Sequence, residues 1–342
     1  MKSAIAAIAF GLLAFAGGAQ AAEARRLDVR IEVPGANNLQ FFTLWVAVGA
    51  RLFQAEGLEP KIVVAAGPRS TGTLLFRGEA DVALLPPPMF LGMMAEDRPV
   101  RLLASLLANE PINLVVRKEV AEARGLSARA ALAQRVQAIK GVKIGLAGEV
   151  TPRLRALAKT ASLDADKDFR LVTVPGPGQV QAFADGTVDA LFAHTPYLET
   201  ALVRYGAVLV VQTSNGEVPE LADGQVHALA TTAARAAENP DLIRRVTRAI
   251  YAAQRLIHSD QRATVDAIIA SGATKADRAM VDAIVAVYGP AVPQTPRISL
   301  TGIERDAVLY PAHPRAPDFT KVKAADYVAA AFAEQAVSAP AR

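Results

Sequence analysis

The 342-residue chain has no cysteine, one tryptophan and only 6% aromatic residues. Without cysteine there is no disulfide framework and no thiol nucleophile. Stability must come from a hydrophobic core, which a chain of this length can supply. Beyond residue 21 no apolar run approaches the ~18 residues that a membrane-spanning helix needs. No block of five like charges occurs. The 37 Lys and Arg are scattered among 33 Asp and Glu, which reads as a mixed solvated surface and not as a nucleic-acid footprint. The motifs G-x-S-x-G, H-E-x-x-H and G-x-x-x-x-G-K-[ST] are all missing, so no nucleophile elbow, zinc helix or phosphate loop is expected. The glycines at 176–178 are too few for a dinucleotide fingerprint. His227, His258 and His313 are too dispersed to read as metal ligands. No cofactor and no metal are expected.

The first residues read as an export signal. Lys2 supplies the positive region, residues 4–16 are apolar and small, and Ala19-Gln20-Ala21 is a small-x-small cleavage site. The signal is assigned to 1–21. With no cysteine at the cleavage site, a lipid anchor is not expected. The expectation is a freely diffusing monomer in a Gram-negative periplasm.

The chain repeats a phrase. Residues 78–90 read GEADVALLPPPMF and residues 186–198 read GTVDALFAHTPYL. In each, Gly is followed three residues later by Asp (Asp81, Asp189), and a Pro follows seven residues beyond (Pro88, Pro196). Each phrase is preceded by an apolar run, a Gly/Pro loop and helix-compatible sequence. Two such units imply two similar α/β lobes with a cleft between them.

The first lobe reads as a strand over 27–33, a turn-rich loop at 34–38 and a helix over 39–54 ended by Gly57. A strand at 60–65, a short helix at 70–77 and a strand at 81–85 follow. The second reads as a strand at 142–146, a helix at 151–161, a strand at 169–174, a helix at 178–185 and a strand at 189–193. Connections of this length make the strands parallel. The extended segments 111–117 and 207–213 read as two crossings forming a hinge. Then come a strand at 227–232, a long helix from Pro240-Asp241, and helices near 260–271, 275–288 and 321–335, with a proline-rich stretch at 290–317. These pack back onto the first lobe. The expected division is 1–21 signal, 22–112 first lobe, 113–210 second lobe, and 211–342 returning to the first.

FFTLWVAVGARLFQAEGLEP at 41–60 resembles the first helix of solute-binding proteins of ABC importers of the nitrate, sulfonate, taurine and thiamine-pyrimidine type. Ala50-Arg51-Leu52-Phe53 stands where that family has Gly-Phe-Phe, while Glu56-Gly57-Leu58 is kept. GPRSTGTLLFRGEADVA at 67–83 is similar to its Gly-rich loop, Ser/Thr pair and Gly-x-x-Asp strand. GLAGEVTPRLRALAKTASL at 145–163 and AFADGTVDALFAHTPYLETAL at 182–202 match its second-lobe pattern. The resemblance spans roughly residues 28–260. It implies a two-lobed type II periplasmic-binding-protein-like fold, each lobe a mostly parallel sheet with flanking helices, closing on a ligand.

Open parallel sheets bind ligands at the carboxyl ends of their strands. Arg69, Ser70 and Thr71 lie where a strand feeds a helix N-terminus, an arrangement that can cradle an anion. Ser70 or Thr71 could equally be an ordinary cap. In the second lobe Thr151 is the expected cap, with Pro152 after it, and Arg153 faces the cleft or the solvent. Glu149 would accept from an amine and repel an anion. Asn37 and Asn38 end the first strand as turn or binding residues. Phe41 and Trp45 share a helix face that could stack on a ligand. Pro88 and Met89 offer shape, although core packing is the commoner fate of a methionine. His194, Thr195 and Tyr197 belong to the most chemically loaded loop, and His194 could hydrogen-bond a carboxylate, a sulfonate or a ring nitrogen. Asp81 and Asp189 read as structural.

The function expected is capture of a small polar or anionic solute for an ABC permease and its ATPase, with no nucleic-acid partner. The alternatives are a pyrimidine-precursor-synthase-like enzyme on the same fold, and a solute sensor for a membrane signalling protein.

Overall fold

The computed structural model describes residues 26–310 and 316–339. The expected export signal lies outside the described residues. The chain opens with β1 (Leu27–Val33), α1 (Phe42–Gly49), α2 (Leu52–Ala55), β2 (Leu58–Val64), α3 (Thr73–Phe76), β3 (Val82–Leu85), α4 (Pro87–Ala95) and β4 (Val100–Leu107). It continues through β5 (Asn113–Val116), α5 (Lys118–Ala123), α6 (Leu132–Ala138), β6 (Lys143–Leu146), α7 (Thr151–Lys159), α8 (Ala165–Asp168), β7 (Arg170–Thr173), α9 (Gly178–Ala184), β8 (Ala190–Ala193), α10 (Tyr197–Tyr205) and β9 (Val208–Val211). Last come β10 (His227–Thr232), α11 (Ala233–Glu238), α12 (Pro240–Ser259), α13 (Gln261–Ala270), α14 (Arg278–Tyr288), α15 (Leu300–Leu309) and α16 (Ala330–Ser338).

The strands make two five-stranded sheets, ordered β2-β1-β3-β10-β4 and β7-β6-β8-β5-β9. In the first, β1 runs parallel to β2 and β3, while β10 is antiparallel to β3 and β4. In the second, β6 runs parallel to β7 and β8, while β5 is antiparallel to β8 and β9. The two orders match position by position. In each sheet the fourth strand is the antiparallel one, and it is the strand that arrives from the other lobe. Each lobe is thus mostly parallel, and the chain crosses between lobes twice.

The repeated Gly-x-x-Asp phrase has a structural cause. The backbone N–H of Asp81 donates to the Arg30 carbonyl at 2.8 Å, and Asp81 Oδ2 accepts from the Arg30 backbone N–H at 2.8 Å. Asp189 and Lys143 repeat the exchange at 2.9 and 3.3 Å. Each Asp therefore starts its strand and locks it to the parallel strand beside it, β1 in the first lobe and β6 in the second. Asp81 is further ion-paired to Arg30 and Arg235, each at 2.9 Å.

Several expectations are corrected. The helix expected over 39–54 is broken: α1 ends at Gly49, and Arg51 adopts left-handed backbone (φ 58°) before α2. The segments 111–117 and 207–213 are not the crossings. They contain β5 and β9, which pair with each other in the second sheet. A buried β-branched run looks the same in a crossing and in a central strand. The crossings run through 108–112 and 212–226. Pro86-Pro87-Pro88 is no loop, because Pro87 and Pro88 start α4, where a missing N–H costs nothing. The stretch 290–317 contains α15, and the helix expected over 321–335 begins only at Ala330. The C-terminal helices do cover the first lobe, with α12 and α13 on α1, but α14 also packs on α10 of the second.

Candidate functional site

A cavity of about 440 Å³ lies where the two sheets' carboxyl ends face each other. Gln40, Arg69 and Pro86–Met89 line it from the first lobe. Glu149, Val150, Arg153 and His194 line it from the second. The crossings contribute Glu110, Pro111, Ile112 and Val226, β10 contributes His227, and Tyr310 follows α15. Proline, methionine, valine and isoleucine make much of the wall apolar.

On the first-lobe side, Arg69 sits in a one-turn 3₁₀ segment over 68–70. It is exposed, and among the described residues it has no hydrogen-bond or ion-pair partner. The anion cradle expected around it is already filled from within. The fully buried carboxylate of Glu32, on β1, accepts from the backbone N–H of Gly72 at 2.8 Å and of Leu75 at 3.0 Å. These are the free donors at the start of α3. Burial raises the Glu32 carboxyl above its usual range even though those donors pull it down. Ser70 Oγ donates to the Gly67 carbonyl at 2.8 Å, and Thr71 is fully buried. What the first lobe offers a ligand at this point is the Arg69 guanidinium alone.

The second-lobe wall and the floor are one buried network. Glu110 is 2% exposed and Arg153 4%. Arg153 Nε lies 3.4 Å from Glu110 Oε2, its Nη1 donates to the Leu309 carbonyl at 3.0 Å, and its guanidinium stands 4.4 Å over the Tyr310 ring. The Tyr310 hydroxyl donates to Glu110, and Glu110 Oε1 accepts from the Ile112 N–H at 3.2 Å. Burial pushes the Glu110 carboxyl up, with the Arg153 charge opposing. Beside this network Glu149 stands exposed in the 148–150 turn. Thr151 is not the cap. Val150 holds that position, and Thr151 Oγ1 donates to the Gly148 carbonyl at 2.8 Å.

Two imidazoles enter the cavity. His194 follows β8, and its Nδ1 lies 2.6 Å from the Thr195 carbonyl oxygen. His227, 4% exposed, stacks on Phe41 with ring centroids 4.3 Å apart. Burial lowers the pKa of both, that of His227 to about 3, so both are neutral at pH 7.

Of the residues expected at the site, Arg69, Pro88, Met89, Glu149 and His194 line the cavity. The others stand behind it. Phe41 backs His227. Trp45 is buried and donates from Nε1 to the Asn38 carbonyl at 3.0 Å. Asn38 Oδ1 caps the next turn by accepting from the Gln40 N–H at 3.0 Å. The Asn37 amide, oriented to satisfy its neighbours, donates to the Ala36 and Ala273 carbonyls, each at 3.2 Å. Thr195 is buried, and the Tyr197 ring lies 5.2 Å from His194. Sequence reasoning missed Gln40, Glu110, His227 and Tyr310. His227 was within reach: it opens the 227–232 strand, and a strand entering from a crossing begins at the cleft.

The model of the NMT1-like family matches residues 37–271, more than half of the chain. No curated protein matches the sequence. Among solved structures, a Bordetella bronchiseptica RB50 protein is 23% identical, with a TM-score of 0.63 over 91% of this chain and 97% of its own. The alkanesulfonate-binding protein SsuA of Xanthomonas axonopodis pv. citri, bound to MOPS, is 18% identical, with a TM-score of 0.58 over 89% and 99%. The desulfurization enzyme DSZB is 17% identical, with a TM-score of 0.59 over 91% and 99%. At these identities what is shared is the two-lobed fold.

Proposed function

The chain belongs to the NMT1-like family, and from the cavity between its lobes we propose that it is the solute-binding component of an ABC importer, working in the periplasm. It captures a small organic acid, a carboxylate or sulfonate on an apolar body, and hands it to a membrane permease driven by an ATPase. The observation that carries this reading is the unpaired Arg69 guanidinium on the wall of a cavity of about 440 Å³ that is otherwise largely apolar. A cavity of that size encloses a ligand of small-molecule dimensions. In this reading the bodies that close exchange at the crossings 108–112 and 212–226, and Pro88, Met89, Glu149 and His194 touch the solute beside Arg69. The binding role of the shared-fold protein SsuA supports the reading. The shared fold of DSZB is the reason to test for turnover as well.

A thermal-shift screen of the purified protein tests it, with alkanesulfonates, nitrate, aromatic carboxylates, pyrimidines, riboflavin and amino acids. A ligand at 100 times its dissociation constant adds roughly 2.7 kcal/mol, on the order of several degrees for a chain of this size. The expected hit is an organic acid that is recovered unchanged. Arg69→Ala should weaken it by about tenfold or more through the lost charge-assisted bond. The melting temperature of the free protein should not move, because Arg69 supports nothing in the fold. A flat response from folded, ligand-stripped protein sinks the receptor reading. Conversion of the hit to product, lost in His194→Asn, would make the protein an enzyme.

A further inference from the structure

The His194 ring leaves an acceptor on the cavity wall without a donor. His194 Nδ1 and the Thr195 carbonyl oxygen lie 2.6 Å apart. A carbonyl oxygen carries no proton, so Nδ1 must carry one. The Gln40 amide group approaches the same nitrogen at 3.3 Å, a longer and weaker contact. With the proton on Nδ1, that amide turns its oxygen to the ring, an assignment made from the bonding pattern. The Nδ1 of His227 has no partner among the described residues, but it is fully buried and out of reach of a solute. Burial holds both rings neutral. A neutral imidazole has one N–H, and His194 commits it to the Thr195 carbonyl. Its Nε2 is a bare lone pair. Glu149 adds a carboxylate that only accepts. The cavity's donors are the Arg69 guanidinium and, with its oxygen turned to the ring, the Gln40 amide NH2, while Arg153 is buried against Glu110 and the Leu309 carbonyl.

We infer that the solute presents, besides the anionic group for Arg69, an N–H or O–H donor to His194 Nε2, so that hydroxy-, amino- or amide-bearing acids are taken in preference to bare acids. This rests on the reading of the cavity as the solute site. Nitrate, simple alkanesulfonates and unsubstituted carboxylates offer oxygens only. They would leave the His194 Nε2 lone pair desolvated and unmatched, the situation in which a polar site discriminates most strongly.

Two measurements decide it. Long-range ¹H–¹⁵N correlation of the histidine side chains at pH 7, assigned with His194→Gln, should find the His194 ring neutral with its proton on Nδ1. An imidazolium or a bare Nδ1 at His194 overturns the proposal. Calorimetry then compares matched pairs: propanesulfonate with 3-hydroxypropanesulfonate, and benzoate with 4-hydroxybenzoate and 4-aminobenzoate. The donor-bearing member should bind at least about tenfold tighter, and His194→Phe should erase the difference. Equal or tighter binding of the bare acids overturns the donor requirement and leaves the receptor reading standing. No binding by any member overturns both.

Discussion

Glu199 shows at residue scale how burial without a partner becomes a pH dependence. It lies on α10, fully buried, and neither carboxylate oxygen nor the Thr195 hydroxyl has a hydrogen-bond partner among the described residues. Burial pushes its carboxyl up to about 7, from 4.5. Between those values the native state keeps a proton that the unfolded chain has released. The favourable contribution present below pH 4.5 is therefore lost as pH rises to about 7, and the penalty is constant above. At 1.36 kcal/mol per unit this comes to about 3 kcal/mol. His227 works in the opposite sense, since its folded value of about 3 makes acidification below 6.5 destabilising. Parent and Glu199→Gln share that term, so their difference isolates Glu199. In urea unfolding, the stability of Glu199→Gln relative to the parent should rise by about 3 kcal/mol from pH 4.5 to pH 8. Parallel curves would mean that the carboxylate is ionised at low cost. The chemistry of the 194–197 loop was legible from its residue types. What it touches was legible only in part: His194 bonds the adjacent Thr195 carbonyl, but its contact with Gln40 crosses from the other lobe, which pattern and spacing leave unconnected.

Gly49 decides a helix contact at element scale. A Cβ placed there would stand 1.8 Å from the Ala267 carbonyl oxygen and 2.9 Å from the Ser271 nitrogen. Both are backbone atoms of α13 and the turn after it, and no side-chain rotation relieves the clash. Gly49→Ala must push α13 off α1 and should cost about 3 kcal/mol or more, read as a lower urea midpoint at an unchanged slope. A loss under ~1 kcal/mol would show that the two helices slide freely. The elements themselves were mostly readable. Alternation located β1, and short apolar runs between loops located β6, β7, β8 and β10 to within a residue or two. The failures have physical causes. Proline is a breaker inside a helix but a starter in its first turn, so α4 looked like a loop. Arg51 takes a backbone region that is unfavourable for a long side chain, and no residue type announces that break in the 39–54 helix. β4 went unread because its run VRLLASLL is buried almost throughout and has no polar face to betray a period.

At the scale of the whole molecule the lobes are tied by more than their two crossings. Most of the buried face of α14 belongs to the first-lobe core, yet Val287 sits in a second-lobe cluster with Phe183, Leu198 and Ala201. The Val287 carbonyl accepts from Gln212 Nε2 at 3.0 Å and from Ser214 Oγ, and Arg204 on α10 pairs with Asp277. Elsewhere Leu309 packs against the large cores of both lobes, while Tyr310 and Arg153 close on Glu110. The duplication in the sequence foretold two lobes. It was silent about this sharing, which uses the C-terminal helices that the repeat does not contain. Shared core has a thermodynamic consequence: neither lobe can unfold without exposing apolar surface of the other. Calorimetry of the parent should give one transition, with van't Hoff and calorimetric enthalpies equal. Val287→Asp places an unpaired charge in the second-lobe cluster while most of the α14 face stays in the first-lobe core. It should split that transition in two, with the second lobe melting first. Two transitions in the parent would show that the ties carry no coupling, and that the lobes are joined by chain alone.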